Sequence, residues 1–154
     1  MMDSIDKAIL RRLQNDARVS NAELAESVNL SPTPCLRRVK RLEQQGYIRG
    51  YFSDINLEKV GLSISAVVFV RLTVNSTQNA AVFERAIQSI TRVRECSVLT
   101  GRYDYLLKVV AKDLRDYEKL IKGELANIDN VKTLESTIIL NQVEVHFSPP
   151  FGSD

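Results

Sequence analysis

The chain has 154 residues, of which 44% are hydrophobic and 26% charged, and its formal net charge is +2. This composition is typical of a folded protein and excludes a disordered chain, and the length fits one ordinary domain or two small ones. The sequence has no apolar run near the roughly 18 residues of a membrane span and no signal-peptide pattern, so we predict a reduced, cytoplasmic protein with no membrane partner.

Charged residues are distributed unevenly along the chain. Residues 1–50 contain nine Lys and Arg against six Asp and Glu, a net charge of +3, whereas residues 51–154 contain twelve against thirteen, a net charge of −1. The two cysteines, Cys35 and Cys96, are too few for a disulfide framework, and with the single His146 they form no metal-binding pattern. We therefore predict no metal and no cofactor, and a basic amino-terminal third.

The first fifty residues predict three short helices. The first helix has Asp3 or Ser4 as its N-cap and an apolar residue at every fourth position: Ile5, Ile9 and Leu13. The second begins with Ser20 and Glu23, a capping box in which each side chain accepts a hydrogen bond from the other residue's backbone N–H. Asn29 then turns the chain toward the third helix, because Asn enters the left-handed backbone region at low cost.

The third predicted helix begins at a Ser-Pro pair and has two different sides. Ser31 is placed to cap it, and Pro32 occupies the first helical position, where its missing N–H is not needed. Gly46 ends the helix. Its apolar side holds Leu36, Val39 and Leu42, with Cys35 on the edge. Arg37 and Arg41 lie on the opposite side, and Arg38 and Lys40 flank them.

Three short helices, a tight turn before the third, and a basic third helix are the features of a helix-turn-helix domain, here residues 1–50. Such a third helix places its amino-terminal residues on base edges in the major groove of double-stranded DNA, and its cations on guanine edges or phosphates. The alternative is a solvated basic helix face. The residues predicted to bind DNA are Ser31, Thr33, Pro34, Arg37, Arg38, Lys40 and Arg41.

Residues 51–61 predict a strand or wing and a linker, and residues 62–154 predict a second domain. Strand-like and helical segments follow there in the order βαββαβ: SISAVVFVRLTVN, NAAVFERAIQSI, VRECSVLT, YDYLLKVVA, DLRDYEKLIKGELANI and VKTLESTIILNQVEV. This order predicts a ferredoxin-like domain, an antiparallel sheet with both helices on one face, and hence an α+β protein. We expect the tail from His146 to be irregular.

The segment AVVFV, residues 66–70, is apolar at successive positions, so both faces of its strand require cover. The helices of the domain cover only one face, and we predict that a second copy covers the other, which gives a homo-oligomer. Two-fold symmetry would also place two basic helices at the spacing that a palindromic DNA site needs.

The loop TGRYDY, residues 100–105, is richer in polar groups than a plain connection needs. Asp104 could accept hydrogen bonds from the ammonium of a free amino acid. The backbone N–H groups from Gly101 to Tyr103, with Arg102, could hold its carboxylate, since a glycine lets the backbone approach a ligand. The alternatives are structural: Gly101 as a hairpin glycine, Asp104 as a turn cap or lysine partner, and Tyr103 as sheet packing.

The sequence resembles the Lrp/AsnC family, the leucine-responsive regulatory protein and asparagine regulator family. The matching residues are IDKAILRRLQNDARVSNAELAESVNLSPTPCLRRVKRLEQQGYIRGY in the first half and GRYDYLLKV in the second. Within them, LSPTPCLRRVKRLEQQG is similar to the leucine-responsive branch. The two blocks fall in the two predicted domains. One departure is Asn29, where the family often has Gly.

This resemblance implies a cytoplasmic bacterial or archaeal transcription regulator that binds DNA through its first domain. In the family the second domain pairs subunits, often as dimers that assemble into octamers, and senses small molecules, usually amino acids. The effector lies between subunits, in contact with the polar loop and the final strand. Carried over to this chain, the effector-binding residues are Leu99, Thr100, Gly101, Arg102, Tyr103, Asp104, Ser136, Thr137 and Ile138.

We therefore predict a sequence-specific transcription regulator whose DNA binding or assembly responds to an amino acid such as leucine or methionine. The alternative is a nonspecific architectural protein that organises DNA without an amino-acid effector, and that would show a steep salt dependence with little preference between sequences. An enzyme is disfavoured because the sequence has no glycine-rich phosphate loop, no HExxH motif and no nucleophile-elbow serine.

Overall fold

The computed structural model describes residues 2–143, so the predicted end of the last strand and the tail with His146 lie outside it. The described chain folds as two compact units, residues 2–54 and residues 55–142. Each unit buries its own cluster of apolar side chains. The two units are therefore described separately.

The first unit is built from three helices, α1 (Ser4–Asn15), α2 (Asn21–Ser27) and α3 (Pro32–Gln44). All three helices begin at the residues that the sequence predicted. Asp3 caps α1, the capping box of Ser20 and Glu23 begins α2, and Ser31 is the N-cap of α3. Seven buried side chains from all three helices form the core: Ile9, Leu24, Ala25, Val28, Cys35, Val39 and Leu42.

Left-handed residues end both α2 and α3. Asn29 has φ 53° and Gly46 has φ 76°. At each position the N–H of the following residue donates to the carbonyl oxygen five residues earlier, at 2.9 Å in both cases. This is the Schellman closure, which satisfies carbonyl groups that the helix leaves unpaired. Asn29 thus turns the chain between α2 and α3, as predicted.

The strand predicted within residues 51–61 does not form. In the described chain this stretch is irregular except for a single 3₁₀ turn, Glu58–Val60, which Gly61 ends at φ 82°. A strand is stable only when its N–H and C=O groups pair with a neighbouring strand, and none within residues 2–143 pairs with this stretch. The residues after α3 are thus a linker rather than a strand.

The second unit has the predicted βαββαβ order. Its elements are β1 (Ile64–Leu72), α4 (Thr77–Gln88), β2 (Val93–Val98), β3 (Tyr105–Ala111), α5 (Leu114–Glu118) and β4 (Val131–Ile138). The helical run of α5 continues through a π-helical turn, Lys119–Glu124, and a 3₁₀ turn, Leu125–Asn127. The four strands form one antiparallel sheet in the order β2-β3-β1-β4.

The two faces of this sheet are both apolar. Along β1, alternate residues are buried with side chains of the helical segments: Ala66, Val68, Val70 and Leu72, packed with Phe83, Ile87, Leu120 and Leu125. The intervening Val67 and Phe69 are half-buried and point to the opposite face, since successive strand residues alternate. Leu106 of β3 pairs with Phe69 on that face. The prediction of an apolar strand on both faces is confirmed.

Candidate functional site

Helix α3 buries a side that differs by one residue from the predicted one. Cys35, Val39 and Leu42 are buried, whereas Leu36, which was predicted to face the core, is 43% exposed. Positions 35, 39 and 42 are spaced four and three residues apart and therefore lie on one helix face. The small Cys35 side chain takes the core position, and Leu36 lies at the edge of the exposed side.

The amino-terminal end of α3 is open to solvent. Ser31 makes no side-chain capping bond, so its hydroxyl is not used by the helix, and Pro32 stands at the first helical position. Thr33 is exposed and Pro34 partly so. The side chain of Asn21, at the start of α2, donates a 2.9 Å hydrogen bond from Nδ2 to the Pro32 carbonyl oxygen. This bond ties the start of α2 to the start of α3.

Arg38 and Arg41 are engaged inside the unit by two carboxylates of α1. Arg38 Nη1 donates to Asp3 Oδ2 at 2.7 Å and to Asp6 Oδ1 at 2.8 Å. Arg41 Nη2 donates to both oxygens of Asp6 at 2.6 Å. The two cations therefore link α3 to the beginning of α1.

Asp6 is the centre of this network and is fully buried. Sequence reasoning missed its role, although a signal was present: Asp6 is three residues before Ile9 and seven before Leu13, so it lies on the core side of α1. The Asp6 backbone N–H and the Arg38 guanidinium hold the pKa of Asp3 below its usual range. In return, hydrogen bonds to Asp3 and Asp6 raise the pKa of Arg38.

Arg37 and Lys40 have a different environment. Both are exposed, and neither forms a salt bridge or side-chain hydrogen bond within residues 2–143. Of the seven residues predicted to bind DNA, Arg38 and Arg41 are bonded to α1, although the Arg41 side chain remains 43% exposed. The other five, of which only Pro34 is partly buried, are Ser31, Thr33, Pro34, Arg37 and Lys40.

The predicted effector loop, Leu99 to Asp104, joins β2 to β3 in the second unit. Asp104 is held on all sides by β1 and the residues after it: its N–H donates to Val70 O at 2.9 Å, and its Oδ2 accepts from Leu72 N at 2.7 Å. Its Oδ1 accepts from Asn75 Nδ2 at 2.7 Å. The turn-stabilising alternative for Asp104 is thus present in the structure. Each carboxylate oxygen keeps one further lone pair.

The other loop residues present a polar surface beside the sheet. Gly101 has φ 114°, an orientation that L side chains rarely adopt, and a Cβ there would meet nothing within 4 Å. The Arg102 guanidinium lies 5.2 Å from the centroid of the Tyr103 ring, and that ring lies 5.2 Å from the Phe69 ring. The Tyr103 hydroxyl donates to the Glu135 carboxylate of β4. That bond, followed by burial, raises the pKa of Tyr103.

The three predicted effector residues of β4 are apart from this loop within one chain. Tyr105, where the loop ends, pairs with Val70, and Val70 pairs with Leu134. Thr137 is three residues further along β4, which is about 10 Å at the usual strand rise. Thr137 also pairs with Val67, on the opposite sheet face from Ser136 and Ile138, which pair with Val68 and Ala66. The structure brings Glu135, which sequence reasoning missed, to the loop instead.

The described part of the chain offers neither a membrane-spanning helix nor a metal-binding cluster. None of its helices is long and apolar enough to cross a membrane. Residues 2–143 contain no group of three or more His, Cys, Asp or Glu side chains that could hold a metal ion.

The chain matches two known domain families, one in each unit. Residues 2–49 match the winged helix-turn-helix DNA-binding family, and residues 65–148 match the Lrp/AsnC ligand binding domain. A DNA-binding domain followed by a ligand-binding domain defines a transcription regulator. The second match covers more than half of the chain, which belongs to the Lrp/AsnC family.

Individual relatives agree along nearly the whole chain. The leucine-responsive regulatory protein of Escherichia coli strain K12 is 39% identical over 145 residues, 93% of this chain and 87% of that protein. A transcriptional regulator from Neisseria meningitidis, solved in complex with L-methionine, is 32% identical with a TM-score of 0.90. An AsnC family regulator from Agrobacterium tumefaciens is 32% identical with a TM-score of 0.88. Both structural matches cover 97% of each chain.

Proposed function

We propose that this protein is a sequence-specific transcription regulator whose DNA binding or assembly responds to an amino acid such as leucine or methionine. The observation that carries the proposal is the similarity of the whole chain, with a TM-score of 0.90, to a regulator solved with L-methionine. The 39% identity to a leucine-responsive regulatory protein supports the same class of effector.

DNA binding is assigned to the exposed side of α3. The hydroxyls of Ser31 and Thr33 and the apolar ring of Pro34 stand at the helix amino terminus, which a helix-turn-helix presents to base edges. The basic side chains further along the helix suit guanine edges and phosphates. A two-fold dimer would present two such helices to the two halves of a palindromic site.

The effector is assigned to an interface between subunits that includes Leu99 to Asp104 and Ser136 to Ile138. In one chain these two groups are too far apart to enclose a small molecule, so a second chain would complete the site. Asp104 retains lone pairs for an ammonium group, and the open backbone at Gly101 offers N–H groups for a carboxylate. Both charges of a free amino acid then have a partner.

A homo-oligomer accounts for the sheet face that bears Val67 and Phe69. We propose a dimer formed on the second unit, with dimers assembling into an octamer as the family commonly does. Sedimentation velocity measures the mass directly. A species of 17.4 kDa at micromolar concentration would contradict the proposal.

The effector is tested by thermal unfolding of the purified protein with each of the twenty amino acids. A ligand present at a hundred times its Kd stabilises the native state by about 2.7 kcal/mol, which shifts the midpoint measurably. We expect a shift with leucine, methionine or both, and none with charged amino acids. No shift with any amino acid, together with equal affinity for all DNA sequences, would instead identify an architectural DNA-organising protein.

A further inference from the structure

We propose that Asp6 is a positioning residue that divides the four cations of α3 into two that face DNA and two that hold the helix in place. Resting on the DNA-binding function proposed above, this inference assigns the charged part of the footprint to Arg37 and Lys40. Arg38 and Arg41 are assigned to the contact between α3 and α1.

The hydrogen bonds to Asp6 occupy all the acceptor sites of its carboxylate. Oδ1 accepts from Arg38 Nη1 at 2.8 Å and from Arg41 Nη2 at 2.6 Å. Oδ2 accepts from Arg41 Nη2 at 2.6 Å and from the Asp3 backbone N–H at 3.1 Å. Because an ionised carboxylate offers about four lone-pair sites, all of them are used. A fully buried carboxylate stripped of cations is strongly unfavourable, so it holds both guanidinium groups.

The four cations form two adjacent stripes along α3. Arg38 and Arg41 are three residues apart and are therefore neighbours on the helix surface, as are Arg37 and Lys40. The two stripes adjoin, because Arg37 and Arg41 are four residues apart and differ in direction by only about 40°. Their hydrogen bonds distinguish them: the first stripe is bonded to Asp6, with the Arg38 and Arg41 side chains 25% and 43% exposed. The second stripe is exposed and unpaired within residues 2–143.

The number of phosphate contacts can be counted from salt dependence. The slope of the logarithm of the binding constant against the logarithm of salt concentration is about −0.9 for each phosphate neutralised. Loss of one such contact reduces the slope by about one. A residue that only stabilises the fold changes the fraction of folded protein but leaves this slope as it was.

Arg37→Ala and Arg41→Ala form a matched pair, since each removes one guanidinium and the positions are one helical turn apart. Their binding to a labelled mixed-sequence DNA duplex is measured by fluorescence anisotropy over a salt series. We expect Arg37→Ala to reduce the slope by about one for each subunit bound to the DNA. We expect Arg41→Ala to keep the slope of the unchanged protein while lowering the unfolding midpoint.

A second measurement tests the positioning role of Asp6 itself. Asp6→Asn removes the charge that holds Arg38 and Arg41. The salt slope of DNA binding should therefore become steeper, as the released guanidinium groups reach phosphates. Asp54→Asn, an exposed position in the same unit, is the charge-matched control and should not steepen the slope. If Asp6→Asn does not fold, Arg37→Ala and Arg41→Ala still test whether the cations are divided as proposed.

The outcomes separate this inference from the proposed function. Equal reductions of the slope by Arg37→Ala and Arg41→Ala, in a protein that binds DNA, would overturn the division of cations and leave the regulator function standing. An Asp6→Asn slope equal to that of Asp54→Asn would overturn the positioning role. A protein that shows no salt-dependent DNA binding at all would overturn both the function and the inference.

Discussion

At the scale of single residues, a charged group in the core of the first unit determines how α1 and α3 meet. Asp6 is fully buried, and two guanidinium groups and a backbone N–H donate hydrogen bonds to its carboxylate. Removing one member of such a buried network leaves the others unpaired. The contact is therefore sensitive to substitutions that conserve volume but change charge.

Asp6→Asn should lower the free energy of unfolding of the first unit by roughly 1.5–3 kcal/mol, the range for a hydrogen bond to a charged group. The half-exposed Arg38 and Arg41 can turn to solvent, which limits the loss. Hydrogen exchange of the α1 and α3 amides reports this unit alone. The control Asp54→Asn should stay within about 0.5 kcal/mol of the unchanged protein. Equal exchange rates in the two variants would contradict the prediction.

Tyr105 makes the second unit sensitive to alkaline pH. Its side chain is 2% exposed and its hydroxyl donates to Glu84 Oε1 at 3.0 Å. Burial, and then the Glu84 carboxylate, raise its pKa from the ordinary 10 to about 12. Above pH 10 the unfolded chain loses the tyrosine proton while the folded chain keeps it, so the free energy of unfolding falls as pH rises.

This contribution is complete below pH 10 and is lost as pH approaches about 12, a change of roughly 2–3 kcal/mol. Urea denaturation of the unchanged protein and of Tyr105→Phe, from neutral pH upward, measures it. We expect the stability difference between them to be constant up to pH 10 and to fall above it. A difference that stays constant over the whole range would show that Tyr105 titrates normally.

At the scale of helices and strands, two glycines with similar surroundings should respond in opposite directions to the same substitution. A Cβ at Gly46 or at Gly123 would meet nothing within 4 Å. Gly46 ends α3 with φ 76°, whereas Gly123 lies inside the π-helical turn that continues α5, with no positive φ. Only backbone preference distinguishes the two sites.

Gly46→Ala should destabilise the first unit by about 1 kcal/mol, because an L residue is strained in the left-handed region. Gly123→Ala should stabilise the second unit by about 0.4–1 kcal/mol, because Ala reduces the entropy of the unfolded chain without strain. Thermal unfolding of both variants gives the two signs. Changes of the same sign in both would mean that backbone preference does not govern these positions.

Most elements could be predicted because their signals are local. The capping residues Asp3 and Ser20 and the left-handed Asn29 and Gly46 lie within a few residues of the helix ends that they define. The error at Leu36 also has a local cause. Cys35 and Leu36 are adjacent and both apolar, so the sequence does not decide which of them faces the core. The strand expected after α3 does not form for a nonlocal reason, since no strand within residues 2–143 pairs with this stretch.

The same distinction explains the candidate sites. The basic side of α3 could be predicted because it lies within one helix. The division of its four cations into two stripes could not be predicted, because Asp6 is 32 residues from Arg38 and 35 from Arg41. The proposed effector residues are harder still to predict, because the loop and the end of β4 lie in different parts of one sheet.

At the scale of the whole molecule, Asp104 should connect effector binding to DNA binding. Asp104→Asn removes the charge available to an ammonium group but keeps an oxygen that can accept the Leu72 N–H. We expect it to abolish the change in DNA affinity that leucine or methionine produces, while DNA affinity without effector stays the same. Fluorescence anisotropy with and without the amino acid measures both.

The control for this experiment is Asn75→Ala, which removes an internal partner of Asp104 and leaves its carboxylate in place. We expect this variant to keep the response to the amino acid. Loss of the response in Asn75→Ala alone would assign the effect to loop structure rather than to recognition of the ammonium. A full response in Asp104→Asn would remove Asp104 from the effector site.

The ion-pair network of Asp6 also limits how the DNA preference of this domain could be exchanged with that of another regulator. A grafted α3 that lacked a cation at position 38 or 41 would leave the Asp6 carboxylate short of partners in the core. A grafted α1 without Asp6 would release both arginines. A graft therefore has to carry Asp6 of α1 together with Arg38 and Arg41 of α3, so each of the two helices constrains the sequence of the other.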